Sequence, residues 1–219
     1  MSDQEAIKED VCRYAQQMYA EGMVVGTAGN VSARVSAPGE DLRVAITPSS
    51  LPYEDMTPAD IVIIDGAGDT VGEGRAASFE KTLHLAIYKA RENVGAVLHT
   101  HALYSSVLAV LRRPLPPVIE ELVPYIGGQV DVADFAMSGS DELAANVVAA
   151  LGEKAAAFLA NHGNLCCGKT LPKAFKVARL VERCARIYVT ALNVGDPKPL
   201  EPAVLERELT FYEVLKDLD

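Results

Sequence analysis

Three observations predict an α/β fold. Segments with the 3.6-residue apolar period of helices alternate with short apolar runs of strand length. The first of those runs are bounded at regular spacing by Pro, Gly and Asp turns, which predicts an antiparallel arrangement there. No internal repeat, low-complexity tract or long linker divides the 219 residues, so residues 1–219 read as a single domain.

The elements follow in order. Residues 4–21 carry Ile7, Val11, Tyr14, Ala15, Met18 and Tyr19 on one helical stripe, and Gly22 is placed to cap the C-terminus. Gly26-Thr27-Ala28-Gly29-Asn30 then leads into a strand through Val35. This is a turn, or a loop able to bring backbone N–H groups to an anion; it has neither the GxGxxG spacing nor the lysine of a P-loop. Ala37-Pro38-Gly39-Glu40 makes a hairpin-like connection to the strand 42–46, which runs into Thr47-Pro48-Ser49-Ser50. A third strand, 61–64, ends in the turn Asp65-Gly66-Ala67-Gly68. Ser78 is an N-cap candidate for the next helix, with Glu80 in its first turn and His84 on a helix face. The strand 94–98 closes on His99-Thr100-His101, a helix covers 102–111, and Glu120-Glu121 sit in an apolar segment. A strand around 130–135, a helix from Ser140 to Leu151, a strand leading to His162, a strand 165–167 and a long helix through Leu192 follow. The tail, 206–218, forms an amphipathic helix bearing Phe211 and Tyr212.

Composition excludes several classes. A formal charge of −10 opposes nucleic-acid and anionic-membrane partners. No stretch approaches 18 apolar residues, and the acidic N-terminus lacks a signal peptide's apolar region, so a cytoplasmic location is expected. Cys12, Cys166, Cys167 and Cys184 form no CxxC pair and read as reduced, buried thiols.

The chemistry concentrates in the histidines, of which there are only four. Residues i and i+2 of a strand share a face, so His99 and His101 would emerge together, and His162 closes a similar apolar run. Three imidazoles with a fourth position open describe a catalytic Zn²⁺ site. Taken alone, the pair also fits an inert, hydrogen-bonded strand end.

Four pieces in one order alter that balance: Gly-Thr-Ala-Gly-Asn-Val-Ser, Ile-Thr-Pro-Ser-Ser, an acid just inside a helix, and the paired plus single histidines. From Glu5 to about Leu192 the chain resembles the class II aldolase/adducin family, nearest its L-fuculose-1-phosphate aldolase branch. The resemblance implies a three-layer αβα fold with a mostly antiparallel sheet, and a homotetramer with active sites near subunit interfaces. It implies His99, His101 and His162 as Zn²⁺ ligands and Glu80 as the catalytic carboxylate. Thr27, Gly29, Asn30, Ser49, Ser50 and Ser78 fall on substrate- and phosphate-binding positions. The implied reaction is retro-aldol cleavage of a ketose 1-phosphate to dihydroxyacetone phosphate and an aldehyde.

Three positions depart from the branch. Phe79 replaces a second serine, Ser50 replaces a glycine, and Glu121 stands where a tyrosine donates a proton to the aldehyde end, with Tyr125 close by in sequence. Tyr212 in the tail is a further candidate, reaching a neighbouring site. These departures point toward a deoxy- or methylthio-ribulose phosphate. They keep open a methylthioribulose-1-phosphate dehydratase, an epimerase or decarboxylase of sugar phosphates, and, least favoured because the histidines and Glu80 are retained, a non-catalytic adducin-like module.

Overall fold

The computed structural model describes residues 3–37 and 39–216. Met1, Ser2, Pro38 of the expected hairpin connection and Leu218 at the expected end of the tail helix lie outside them. Helix α1 (Asp3–Ala20) buries Val11, Ala15 and Met18 completely. It ends as the sequence requires: Gly22 takes φ 70°, its N–H bonds the Tyr19 carbonyl, and the Met23 N–H reaches back to Met18. That paired closure satisfies two carbonyls which helix geometry leaves orphaned.

Strands β1 (Asn30–Arg34), β2 (Arg43–Ile46) and β3 (Val62–Asp65) form the expected antiparallel ribbon. Helix α2 (Lys81–Ala90) crosses to β4 (Ala96–Thr100), which pairs antiparallel with the free side of β1. Helix α3 (Leu103–Val110), a 3₁₀ turn at Glu120–Leu122 and the short α4 (Val123–Ile126) lead to β5 (Val132–Ala133). Helix α5 (Asp141–Leu151), capped by the Ser140 hydroxyl on the Leu143 N–H, precedes the hairpin β6 (Ala156–Leu159) and β7 (Gly163–Gly168). Helices α6 (Leu171–Leu192) and α7 (Pro202–Leu215) complete the chain. The seven strands stand in the order β3-β2-β1-β4-β7-β6-β5, all antiparallel except β5 against β6.

Strand alternation sorts the side chains into two cores. Val31, Ala33, Ala45, Leu98, Phe158 and Cys166 face α1, α3 and α6; Val44, Ile46, Val97, Leu159, Leu165 and Cys167 face α2 and α5. The expected three layers result. Each large aliphatic side chain removed from water on either face contributes roughly 1.5–3 kcal/mol. All four cysteines are free thiols in these cores, and burial raises the thiols of Cys166 and Cys167.

Two elements differ from expectation. Helix α2 begins at Lys81, not beside Ser78, because the Ser78 N–H is bound by the Thr47 carbonyl and Ala77 bridges Pro48. Those bonds hold residues 77–78 extended, and Ser78 Oγ accepts instead from the Glu80 N–H at 3.3 Å. The strand expected at 130–135 shrinks to two residues, since only β6 borders that edge and Val130 pairs with Leu115 instead.

Candidate active site

One end of the sheet gathers the chemistry. Asn30 opposes His99 across β1 and β4, while Thr100 opposes Asn164 across β4 and β7. The start of β1, the ends of β2 and β4 and the start of β7 therefore share an edge. The three-residue turn Ala160-Asn161-His162 closes the β6–β7 hairpin there, with Asn161 at φ 57°. Gly163 must follow it: a Cβ at that position would lie 2.3 Å from the Thr100 carbonyl oxygen and 3.0 Å from the His101 ring.

The rings of His99, His101 and His162 stand 4.7–4.9 Å apart by centroid. One ligand atom from each lies within 4.8 Å of the others. His99 is fully buried, and its Nδ1 sits 2.9 Å from the Asn164 carbonyl oxygen. A carbonyl only accepts, so Nδ1 carries the proton and Nε2 presents its lone pair. That Nε2 lies 3.0 Å from His101 Nε2 and 3.3 Å from Glu80 Oε2, and His162 Nε2 lies 3.3 Å from Glu80 Oε1. Glu80 Oε1 is buried and has no hydrogen-bond partner among the described residues. Electron-rich atoms converge here on one point, which is the environment of a cation. The all-imidazole donor set, with a carboxylate alongside, fits a catalytic metal with one open position.

Titration agrees with ligation. Burial, reinforced by the neighbouring imidazoles, lowers His101 to about 4, and burial lowers His162 as well. Both are neutral, ligand-competent rings at neutral pH. Burial pushes the Glu80 carboxyl up, but His99, His162 and the Asn30 amide together outweigh it and hold the group below its ordinary value.

Three loops surround the triad. Gly29 takes φ 74°, and a Cβ there would lie 2.7 Å from the His99 carbonyl oxygen, so only glycine fits between β1 and the metal-side strand. The Tyr53 hydroxyl bonds the carbonyls of Ala28 and Gly29 at 2.9 Å, fixing that loop, while Thr27 at its tip is exposed. The Ser49 N–H bonds Ala76, the Ser78 N–H bonds Thr47, and the hydroxyls of Ser49 and Ser50 lie 3.4 Å apart. Ser50 takes φ 58°, the left-handed conformation that glycine adopts most readily. Phe79 is 71% exposed against Gly139.

The remaining candidates stand apart from the triad within this chain. Glu121 is exposed and ion-paired with Arg183. Tyr212 is buried against Gly127; its hydroxyl donates to the Glu153 carbonyl at 2.6 Å, and burial pushes its pKa up to about 12. It lines a cavity of about 240 Å³, with Arg91, Cys167, Lys173 and Lys176. Gly168, also in that lining, opposes Ala96 at the far end of β4 from His99. Tyr125 is covered by the Lys176 ammonium, 3.4 Å from its ring.

The sequence reading missed a buried polar line behind Glu80. His84 is fully buried, with Asn30 on one ring nitrogen and Ser32 on the other, and Tyr88 bonds Ser32. A signal existed: His84 is i+4 from Glu80 on α2, and Ser32 is i+2 from Asn30 on β1.

Residues 9–189 match the Class II Aldolase and Adducin N-terminal domain family. The chain belongs to that family. It is 37% identical over 212 residues to a 5-methylthioribulose-1-phosphate/5-deoxyribulose-1-phosphate aldolase of Rhodospirillum rubrum, covering 97% of this chain and 93% of that one. It is 34% identical over 206 residues to a 5-deoxy-D-ribulose 1-phosphate aldolase of Bacillus thuringiensis, covering 94% and 95%. Among solved structures, an L-fuculose 1-phosphate aldolase superposes with a TM-score of 0.88 at 34% identity, covering 95% and 96%. This class II aldolase is thus an enzyme of the carbon–carbon lyase kind. No helix among its described residues is long and apolar enough to cross a membrane.

Proposed function

We propose that this chain is a single-domain, cytoplasmic, zinc-dependent aldolase. It cleaves a ketose 1-phosphate between its third and fourth carbons to dihydroxyacetone phosphate and an aldehyde. The observation that carries the reading is the Glu80 carboxylate 3.3 Å from both His99 and His162, beside His101. His99, His101 and His162 would hold Zn²⁺, which would supply Lewis-acid stabilisation of the negative charge left when the bond breaks. Glu80 takes up a proton from solvent and delivers it to the third carbon as the triose forms, and the base at the fourth-carbon hydroxyl returns one to solvent. The loops bearing Thr27, Gly29, Asn30, Ser49, Ser50 and Ser78 hold the phosphate by N–H and hydroxyl groups and fix the reacting carbons near Glu80.

The fourth-carbon hydroxyl must lose its proton as the aldehyde forms. Glu121 and Tyr212 are the candidates, and in this chain neither adjoins the triad. That role requires a homotetramer in which a neighbouring subunit's copy completes the site. Relatives named for 5-deoxy- and 5-methylthioribulose phosphates align in sequence over 94–97% of this chain and those named for fuculose phosphate over 84%, and on that breadth we take the former as the substrate class.

Glu121 favours one second reading, a dehydratase using that acid on the same substrates. Incubation with a panel of ketose 1-phosphates separates the two. Release of dihydroxyacetone phosphate supports the aldolase; loss of water without triose supports the dehydratase and overturns the first reading.

A further inference from the structure

A line of four hydrogen bonds runs from Glu80 into the core beneath α2. Asn30 Nδ2 lies 2.9 Å from Glu80 Oε2, Asn30 Oδ1 is bonded to His84 Nε2, His84 Nδ1 lies 2.6 Å from Ser32 Oγ, and Ser32 Oγ lies 2.8 Å from the Tyr88 hydroxyl. Asn30, Ser32 and His84 are all buried, so water does not relieve a wrongly oriented member.

The charge at one end fixes the direction of every bond. A carboxylate only accepts, so the Asn30 amide must turn its NH₂ toward Glu80. Its carbonyl oxygen then faces His84, which must donate from Nε2. A neutral imidazole with its proton on Nε2 has a bare Nδ1, so the Ser32 hydroxyl must donate into the ring and accept in turn from Tyr88. Burial pushes the His84 imidazole down to about 3, so the ring is neutral at working pH.

We propose that His84, held as the neutral Nε2–H tautomer by this line of bonds, is a positioning residue: it orients the Asn30 amide, which anchors Glu80 Oε2 beside the three histidines. His84 therefore serves the site without ligating the metal, and its polarity is opposite to that of His99, which is protonated on Nδ1. The inference rests on the reading of Glu80 as the proton carrier, but the tautomer is measurable without it.

Two isosteric variants separate the ring nitrogens. His84→Gln places an amide donor near the former Nε2; His84→Asn places one near the former Nδ1. Turnover of His84→Gln is expected within about threefold of the native chain, and that of His84→Asn is expected to fall roughly 10–100-fold, with metal content unchanged in both. Equal turnover of the two variants overturns the proposal. In parallel, imidazole ¹⁵N–¹H correlation spectra of the full chain labelled with ¹³C and ¹⁵N, metal-free and zinc-loaded, report the tautomer directly, with the His84 ring assigned by through-bond correlation to its backbone. A neutral Nε2–H pattern unchanged by zinc is expected. An Nδ1–H pattern or an imidazolium at pH 7 overturns the proposal even if the variants fail to fold. A chain inactive on every ketose phosphate but showing the Nε2–H pattern overturns the aldolase reading and leaves the His84 tautomer standing.

Discussion

The β4 end bearing His99 and the α4–α7 corner bearing Glu121 and Tyr212 hold their polar groups by opposite means. At the first, each side chain is fixed by strand register: His99 opposes Asn30, its Nδ1 is tied to the Asn164 carbonyl, and Glu80 is tied to Asn30. At the second, Glu121 is exposed in an ion pair with Arg183, and the Tyr212 hydroxyl is occupied by the Glu153 carbonyl. The β4 end is finished within one chain. Glu121 and Tyr212 need another surface, or a rearrangement, before either meets a substrate held at the triad. Metal binding demands fixed ligands, and only the β4 end supplies them.

Variants can break that comparison, and the largest expected effect is at the metal. His101→Ala should lose bound zinc and turnover together, turnover by at least roughly 10³-fold; metal analysis showing an active, zinc-free variant would remove the triad from the mechanism. Glu80→Gln comes next: zinc should be retained while kcat falls roughly 10²–10⁴-fold, and full residual turnover would exclude Glu80 as the proton carrier.

At the other corner, Glu121→Gln should leave stability within about 0.5 kcal/mol, because its ion pair is solvated, yet lower turnover if a neighbouring subunit presents it to substrate. Tyr212→Phe removes the bond to Glu153 and should cost about 1 kcal/mol in urea unfolding. If kcat stays native in both variants, the proton acceptor at the aldehyde end is neither of them. Sedimentation of the native chain tests the tetramer on which that role depends; an active monomer would refute it.

A finer test is stability against pH. The folded pKa of His84, about 3, lies below the ordinary 6.5, so the unfolded chain binds the extra proton between those values. His84's share of stability is therefore complete above pH 6.5 and is lost as pH falls toward 3. By that linkage the loss is about 2 kcal/mol at pH 5. Urea unfolding of the metal-free chain should show the native protein losing more stability than His84→Gln between pH 7 and 5 by about that amount. Parallel curves would contradict a neutral, buried His84.

Much of this was legible in the residues. The three histidines stand out by type and spacing, strand parity places His99 and His101 together, and Glu80 and the hydroxyl-rich loops take their roles only from the family resemblance. Helix α6 runs to Leu192 as its apolar stripe predicts. Less legible was the true start of α2, because Ser78 has the chemistry of a cap, and only the bonds from Thr47 and Pro48 show that residues 77–78 are held extended. His84 was read as a helix-face histidine because nothing in its own helix shows that β1 lies opposite with Asn30 and Ser32 turned toward it.

Residue type and local spacing set the helical and strand periodicities and the inventory of groups able to bind a metal and move a proton, but not every cap, as Ser78 shows. Tertiary structure alone decided which of those groups meet. Pairing β1 with β4, from residues nearly seventy positions apart, brings Asn30 beside His99, and packing α2 on β1 encloses His84. Non-local register obeys the burial of whole faces, and no short stretch of chain encodes it.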